Sequence, residues 1–240
     1  MTKTVIALDA ITVVVRGQFN AAIFSPAWLL HQNLIGTNEF ADAEVEIVTS
    51  EFALFRTGWL RCQVTPDTFQ VSTSEPAEFE RVRDVAIGVL SALRHTPVAA
   101  LGINRETHFA ARDLNHYHAV GDQLAPKQFW EELVKLPVTR QIVLWSQRPD
   151  EYGGRVQIDV EPSMRFQGHI FVSHNDHFNL QIVEHQPATR DEAWTVEAEQ
   201  SNFLEPSADK IPTVKEILSS KWISSIERSN EVTKAIMRIK

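Results

Sequence analysis

The stretch EPAEFERVRDVAIGVLSALRH, Glu75 to His95, decides the fold. Phe79, Val82, Val85, Ala86, Val89, Leu90 and Leu93 recur at three- and four-residue intervals. That spacing places them on one side of a helix of roughly five to six turns. Thr96-Pro97 stops the helix, because proline forces the residue before it into an extended conformation.

Upstream of this helix the period changes to two. Val45 and Ile47 alternate with Glu44 and Glu46 in Ala43 to Ser50, and Phe52 to Arg56, Trp59 to Val64 and Phe69 to Thr73 follow the same pattern. These stretches predict an antiparallel meander with one wet face. Ahead of it, Thr4 to Arg16 reads as a strand ending at Gly17. Ser25 and Pro26 then signal the cap and first turn of a helix carrying Trp28, Leu29 and Leu30, which Gly36 closes.

Downstream, the same order of elements returns. Val98 to Phe109 reads as a strand, Asp113 to Gly121 as a short helical connection and Pro126 to Leu133 as a helix. Strands are expected at Thr139 to Gln147, Arg155 to Glu161, His169 to Ser173 and His177 to Val183. Gly153-Gly154 and His174-Asn175-Asp176-His177 are read as turns. A polar connection from about Glu184 to Ile211 leads to one closing helix over Pro212 to Ile239, with Trp222 and Ile226 on its apolar stripe. The fold class expected is therefore α+β: two β-α-β(3-4)-α halves, 1–97 and 98–240, in one compact body with a mainly antiparallel curved sheet backed by long helices.

This order resembles the TATA-binding-protein-like fold, in which two such halves share a curved sheet. That family binds DNA through a basic saddle with inserted phenylalanines, and a formal net charge of −8 departs from its pattern. The strand Leu101-Gly102-Ile103-Asn104-Arg105 resembles the LGxRxxNR-type strand of a sporadically distributed, uncharacterised bacterial family, departing from it at Ile103-Asn104. The resemblance implies a prokaryotic accessory protein and brings no catalytic residues.

Composition narrows the function classes. An apolar fraction of 43% suffices for a buried core, and no apolar stretch approaches a bilayer span, so no membrane partner is expected. The opening Met1-Thr2-Lys3-Thr4 leads into an apolar run broken by Asp9, unlike an export signal, and the chain is read as cytoplasmic. Cys62, the single cysteine, excludes an internal disulfide and a CxxC-type zinc site. On an alternating run, it reads as a buried structural thiol.

No P-loop, GxSxG elbow or comparable motif is present, so neither a catalytic residue nor a cofactor is assigned. The residues weighed as metal ligands are His108, Asp113, His116 and His118. His116 and His118 would share a face on a strand but diverge on a helix, and ordinary surface or hydrogen-bonded histidine is the simpler reading. Asp159 and Glu161 share a strand face, read as its solvent side. Trp28, Trp59, Trp130, Trp145 and Trp222 are read as core, and Trp194 as a body anchor or a partner contact.

The expectation that follows is a non-catalytic accessory subunit binding another protein or itself through a sheet face or the closing helix, with Trp194, Trp222 and Ile226 as candidate contacts. A metal-assisted hydrolase built on the histidines is the alternative. Nucleic-acid binding through Arg16, Arg56, Arg61 and Arg105 comes third, opposed by the acidic balance.

Overall fold

The computed structural model describes residues 5–182 and 205–240. Among them, nine strands form one antiparallel sheet backed by helices, the α+β class expected. In chain order the strands are β1 (Ile6–Gly17), β2 (Ala43–Val48), β3 (Ala53–Thr57), β4 (Leu60–Thr65), β5 (Thr68–Thr73), β6 (Val98–Ala110), β7 (Ile142–Gln147), β8 (Tyr152–Pro162) and β9 (His169–Ile182). The helices are α1 (Pro26–His31), α2 (Thr37–Ala41), α3 (Phe79–Ala92), α4 (Leu114–Leu124), α5 (Gln128–Glu131), α6 (Ile211–Ser220) and α7 (Trp222–Met237). None is long and apolar enough to cross a membrane, among the described residues.

The sheet order is β2-β3-β4-β5-β1-β6-β9-β8-β7. The opening strand of each half lies at the centre: β1 pairs with β6, and each also pairs with the last strand of its own meander, β5 and β9. The meanders differ in count, four strands before α3 and three after α5.

Local chemistry accounts for the helix starts. The Ser25 hydroxyl accepts the Trp28 N–H at 3.2 Å to open α1, and the Asp113 carboxylate accepts the His116 N–H at 2.8 Å to open α4. Burial then alternates along β1, β4, β5 and most of β9. Ile11, Val13 and Val15 of β1 are buried with Phe55, Cys62, Phe69 and Val71 under α3, which also packs on α6. A second, smaller core gathers Phe109, Val120, Val160, Ile170, Val172, Ile236 and Ile239.

Four sequence expectations change. His174-Asn175-Asp176-His177 lies inside β9 instead of at a turn, because Arg105, Asn104, Ile103 and Gly102 of β6 pair with these four residues in turn. Their turn preference yields to ladder pairing and to the counter-charges described below. Gly153-Gly154 lies within β8, where β9 approaches so closely that a side chain at Gly154, with φ +117°, would reach 2.2 Å from the His177 carbonyl oxygen. The closing helix is two helices interrupted at Lys221, so that α6 packs on α3 while α7 packs on β6 and β9. The helix expected at Pro126 to Leu133 is the single turn α5, whose Phe129 and Trp130 are exposed and meet no core.

Candidate functional site: the free margin of the sheet

Strand β7 closes one side of the sheet, among the described residues. Its sequence IVLWSQ has no charge and no proline, and its register with β8 is regular from Ile142 opposite Val160 to Gln147 opposite Arg155. Edge strands in soluble proteins usually carry charge, a proline or a bulge, because their unpaired amides and carbonyls otherwise invite another strand. Here Val143 and Trp145 emerge on one face and Leu144 on the other, each about half exposed.

The connection leading into β7 adds to this surface. Phe129, Trp130, Leu133, Val134, Leu136 and Val138 are all exposed, Leu136 at 81%. Together with β7, residues 129–145 hold nine of the nineteen large apolar side chains that are exposed among the described residues. Isolated apolar residues on a surface need no explanation, but contiguous ones mark interaction sites. Beside them a cavity of about 380 Å³ opens between α4, residues 137–140 and strands β7 and β8, with Val120, Pro137, Val138, Ile142, Val160 and Ile170 among its walls. The two cations in that wall are spoken for: Lys127 pairs with Asp122, and Arg140 pairs with Glu161 at 3.0 Å.

Trp145 is held in place. Its indole N–H donates to Gln157 Oε1 at 2.8 Å, Gln157 donates in turn to Asp159, and the Ser173 hydroxyl donates to Asp159 at 2.9 Å. The Arg155 guanidinium lies 4.4 Å from the centre of the indole ring. A tryptophan fixed in this way loses little freedom when a partner covers it.

A buried charge cluster fixes the chain that leaves β7. Arg148 is fully buried, lies over the Phe178 ring at 3.4 Å, and grips Asp150 with two nitrogens at 3.0 and 2.6 Å. It also donates to Asp176 at 3.1 Å, whose other oxygen receives Arg228 of α7 at 2.6 Å. Burial works to raise the Asp176 pKa, but Arg148, the Ser225 hydroxyl, Arg228 and His174 outweigh it and hold the carboxyl below its ordinary value. His174 is pushed down chiefly by burial, against the pull of Asp176. Next to it, Arg105 makes a double contact with Asp9 at 2.8 and 2.7 Å and donates to Ser229 and Asn230 of α7. These contacts join β1, β6, β9, the exit of β7 and α7 through polar groups.

The face of the sheet away from the helices is polar. One register row crosses all nine strands as Glu44, Arg56, Arg61, Ser72, Thr12, Asn104, Asn175, Gln157 and Trp145. Arg16, Arg56 and Arg61 belong to this face, with Arg56 on Glu44 at 2.7 Å and Arg16 near Asp67 at 3.7 Å. Arg105 does not: it turns under the helices to Asp9, so the fourth phosphate contact weighed from the sequence is absent from the open face.

The histidine candidates stay apart. His108 lies on β6, its Nδ1 2.8 Å from the Ser163 hydroxyl, and burial followed by Arg165 and His169 lowers its pKa against Glu161. His116 and His118 sit two apart on α4 and diverge, as helical geometry requires. His116 Nδ1 accepts the Arg112 N–H at 3.0 Å, and Asp113 is engaged as the α4 cap. Among the described residues, no three His, Cys, Asp or Glu side chains gather to hold a metal ion.

Of the candidate contacts, Trp222 is 1% exposed and belongs to the larger core, Ile226 packs half-buried against it, and Trp194 lies outside the described residues. Trp130 and Trp145, read from the sequence as core, are instead half exposed at the β7 side of the sheet. The available signal was Ile142-Val143-Leu144-Trp145, four consecutive apolar residues in a strand that can bury only one face. Nothing local signalled the Arg148, Asp176 and Arg228 cluster, which comes from three distant segments. No known family model matches the chain, and no curated protein matches it.

Proposed function

We propose that this chain is a non-catalytic protein-interaction subunit that receives a protein partner on the margin formed by β7 and residues 129–138. The observation that carries this reading is the gathering of nine exposed large apolar side chains within residues 129–145, beside an uncharged edge strand. A protein segment is the partner best suited to that chemistry, since it supplies backbone groups to the open edge and apolar side chains to its flanks. The resemblance of Leu101-Gly102-Ile103-Asn104-Arg105 to a bacterial accessory family and the single, buried Cys62 fit work inside a bacterial cell.

Photo-crosslinking from inside the producing cell tests it. A benzophenone amino acid at position 136 is expected to capture a protein, whereas the same group at position 45, on the opposite edge, is expected to capture none. Equal capture from both positions, or none from 136, would overturn the assignment.

A further inference from the structure

We infer that the partner on this margin is a second copy of the chain, joined through antiparallel pairing of β7 with β7. The inference rests on the interaction reading above and specifies its occupant. The two edges of the sheet make the argument. Strand β2 carries Glu44 and Glu46, and its register with β3 shifts between Val45 and Ile47. Pairing β2 with its own copy would set these carboxylates against one another, and the irregularity bends the edge away from a straight partner. Strand β7 has neither device.

A two-fold axis perpendicular to the sheet and midway between the two copies of Leu144 keeps the helix-covered faces of both copies on the same side. It places Leu144 opposite Leu144, Val143 opposite Trp145 and Ile142 opposite Ser146. Each pair shares a face, as directly opposed residues in an antiparallel ladder must, and Val143 with Trp145 is a favourable β-branched and aromatic pair. No like charges meet within the strand, although each chain carries a formal −8. The contact is isologous and closes at two copies, joining two nine-stranded sheets into one. A β2-to-β7 contact would instead leave an open edge at each end and run on without limit.

Sedimentation of the untagged full chain over a range of micromolar concentrations is the first measurement, with twice the chain mass expected. Leu144→Lys, at a position already half exposed, should keep the circular dichroism spectrum and weaken association by at least about tenfold. Leu144→Cys should give a disulfide-linked dimer on mild oxidation, since Cys62 is buried and does not compete. A dimer that Leu144→Lys leaves intact, and that Leu144→Cys does not crosslink, uses another surface and overturns the inference. A monomer at every concentration also overturns it. The interaction reading then survives only if the probe at position 136 still captures a different protein, and falls if it captures nothing.

Discussion

Val71 and Asp176 hold corresponding places in the two halves of the sheet. Val71 of β5 lies opposite Val13 of β1, Asp176 of β9 lies opposite Ile103 of β6, and Val13 and Ile103 pair with each other at the centre. Both side chains are buried under helices, yet one is apolar and the other is a carboxylate held by two arginines. The contrast extends outward. The N-terminal half is mainly apolar beneath its helices, and its edge strand β2 sets the charges of Glu44 and Glu46 among the exposed Val45, Ile47 and Val48. The C-terminal half adds a buried charge cluster to the apolar core beneath its helices, and its edge strand β7 carries no charge, with Val143, Leu144 and Trp145 exposed. Apolar packing tolerates small shifts, whereas an arginine fork on a carboxylate works in one geometry only. The half that presents the open edge is thus the half whose interior is fixed by directional contacts.

Truncating the two corresponding residues is the strongest way to break this comparison. Asp176→Ala leaves Arg148 and Arg228 facing each other in the interior and should cost about 3–5 kcal/mol. Val71→Ala removes two methyl groups from a packed core and should cost roughly 2 kcal/mol. Urea unfolding of both variants provides the check. Equal costs would mean that the cluster is hydrated or rearranges, and that the two halves are held in the same way.

Acid should separate the halves next. Burial, followed by Arg155, Arg148 and Arg16, pushes the His177 pKa down to about 4. The unfolded chain binds the proton near its ordinary pKa of about 6.5. Between those values the unfolded state holds more protons, so stability is complete above pH 6.5 and declines as pH falls toward 4, by on the order of 2–3 kcal/mol. His174, His108 and His116 are lowered too and act in the same direction. His177→Gln should therefore reduce the slope without abolishing it. Hydrogen exchange at pH 5 should show β8 and β9 opening before β4 and β5. A uniform loss of protection would place the acid sensitivity elsewhere.

The sequence displayed the apolar half more completely than the charged one. Periodicity exposed α3, the alternation of β4 and β5 and the burial of Cys62, because each depends on neighbours a few residues apart, whereas on the edge strand β2 Val45 and Ile47 alternate with glutamates yet stay exposed. The alternation of Arg155 to Glu161 likewise placed Asp159 and Glu161 on the face away from the helices. Strand β9 was hidden, since Asn175 and Asp176 carry turn chemistry locally and become strand residues only through Asn104 and Ile103 of β6 and Arg148 and Arg228, contributed by distant segments. The same limit applies to the site. Whether Trp145 packs inside or stands at an edge is set by how many strands follow it in the sheet, and no local pattern encodes that count.

The smallest expected effect is the one that separates an edge built for folding from an edge built for contact. Leu144 and Val45 are both exposed on outer strands, so lysine at either position should change the stability of the isolated chain by no more than about 0.5 kcal/mol. They should differ in how stability depends on protein concentration. A dimer that forms only from folded chains raises the unfolding temperature as concentration rises, because association draws on the native state alone. The wild-type chain and Val45→Lys should show that rise across a hundredfold dilution series in thermal melts, and Leu144→Lys should not. If Leu144→Lys instead destabilises the chain at every concentration, Leu144 is covered from within the molecule, and β7 is a protected edge like β2.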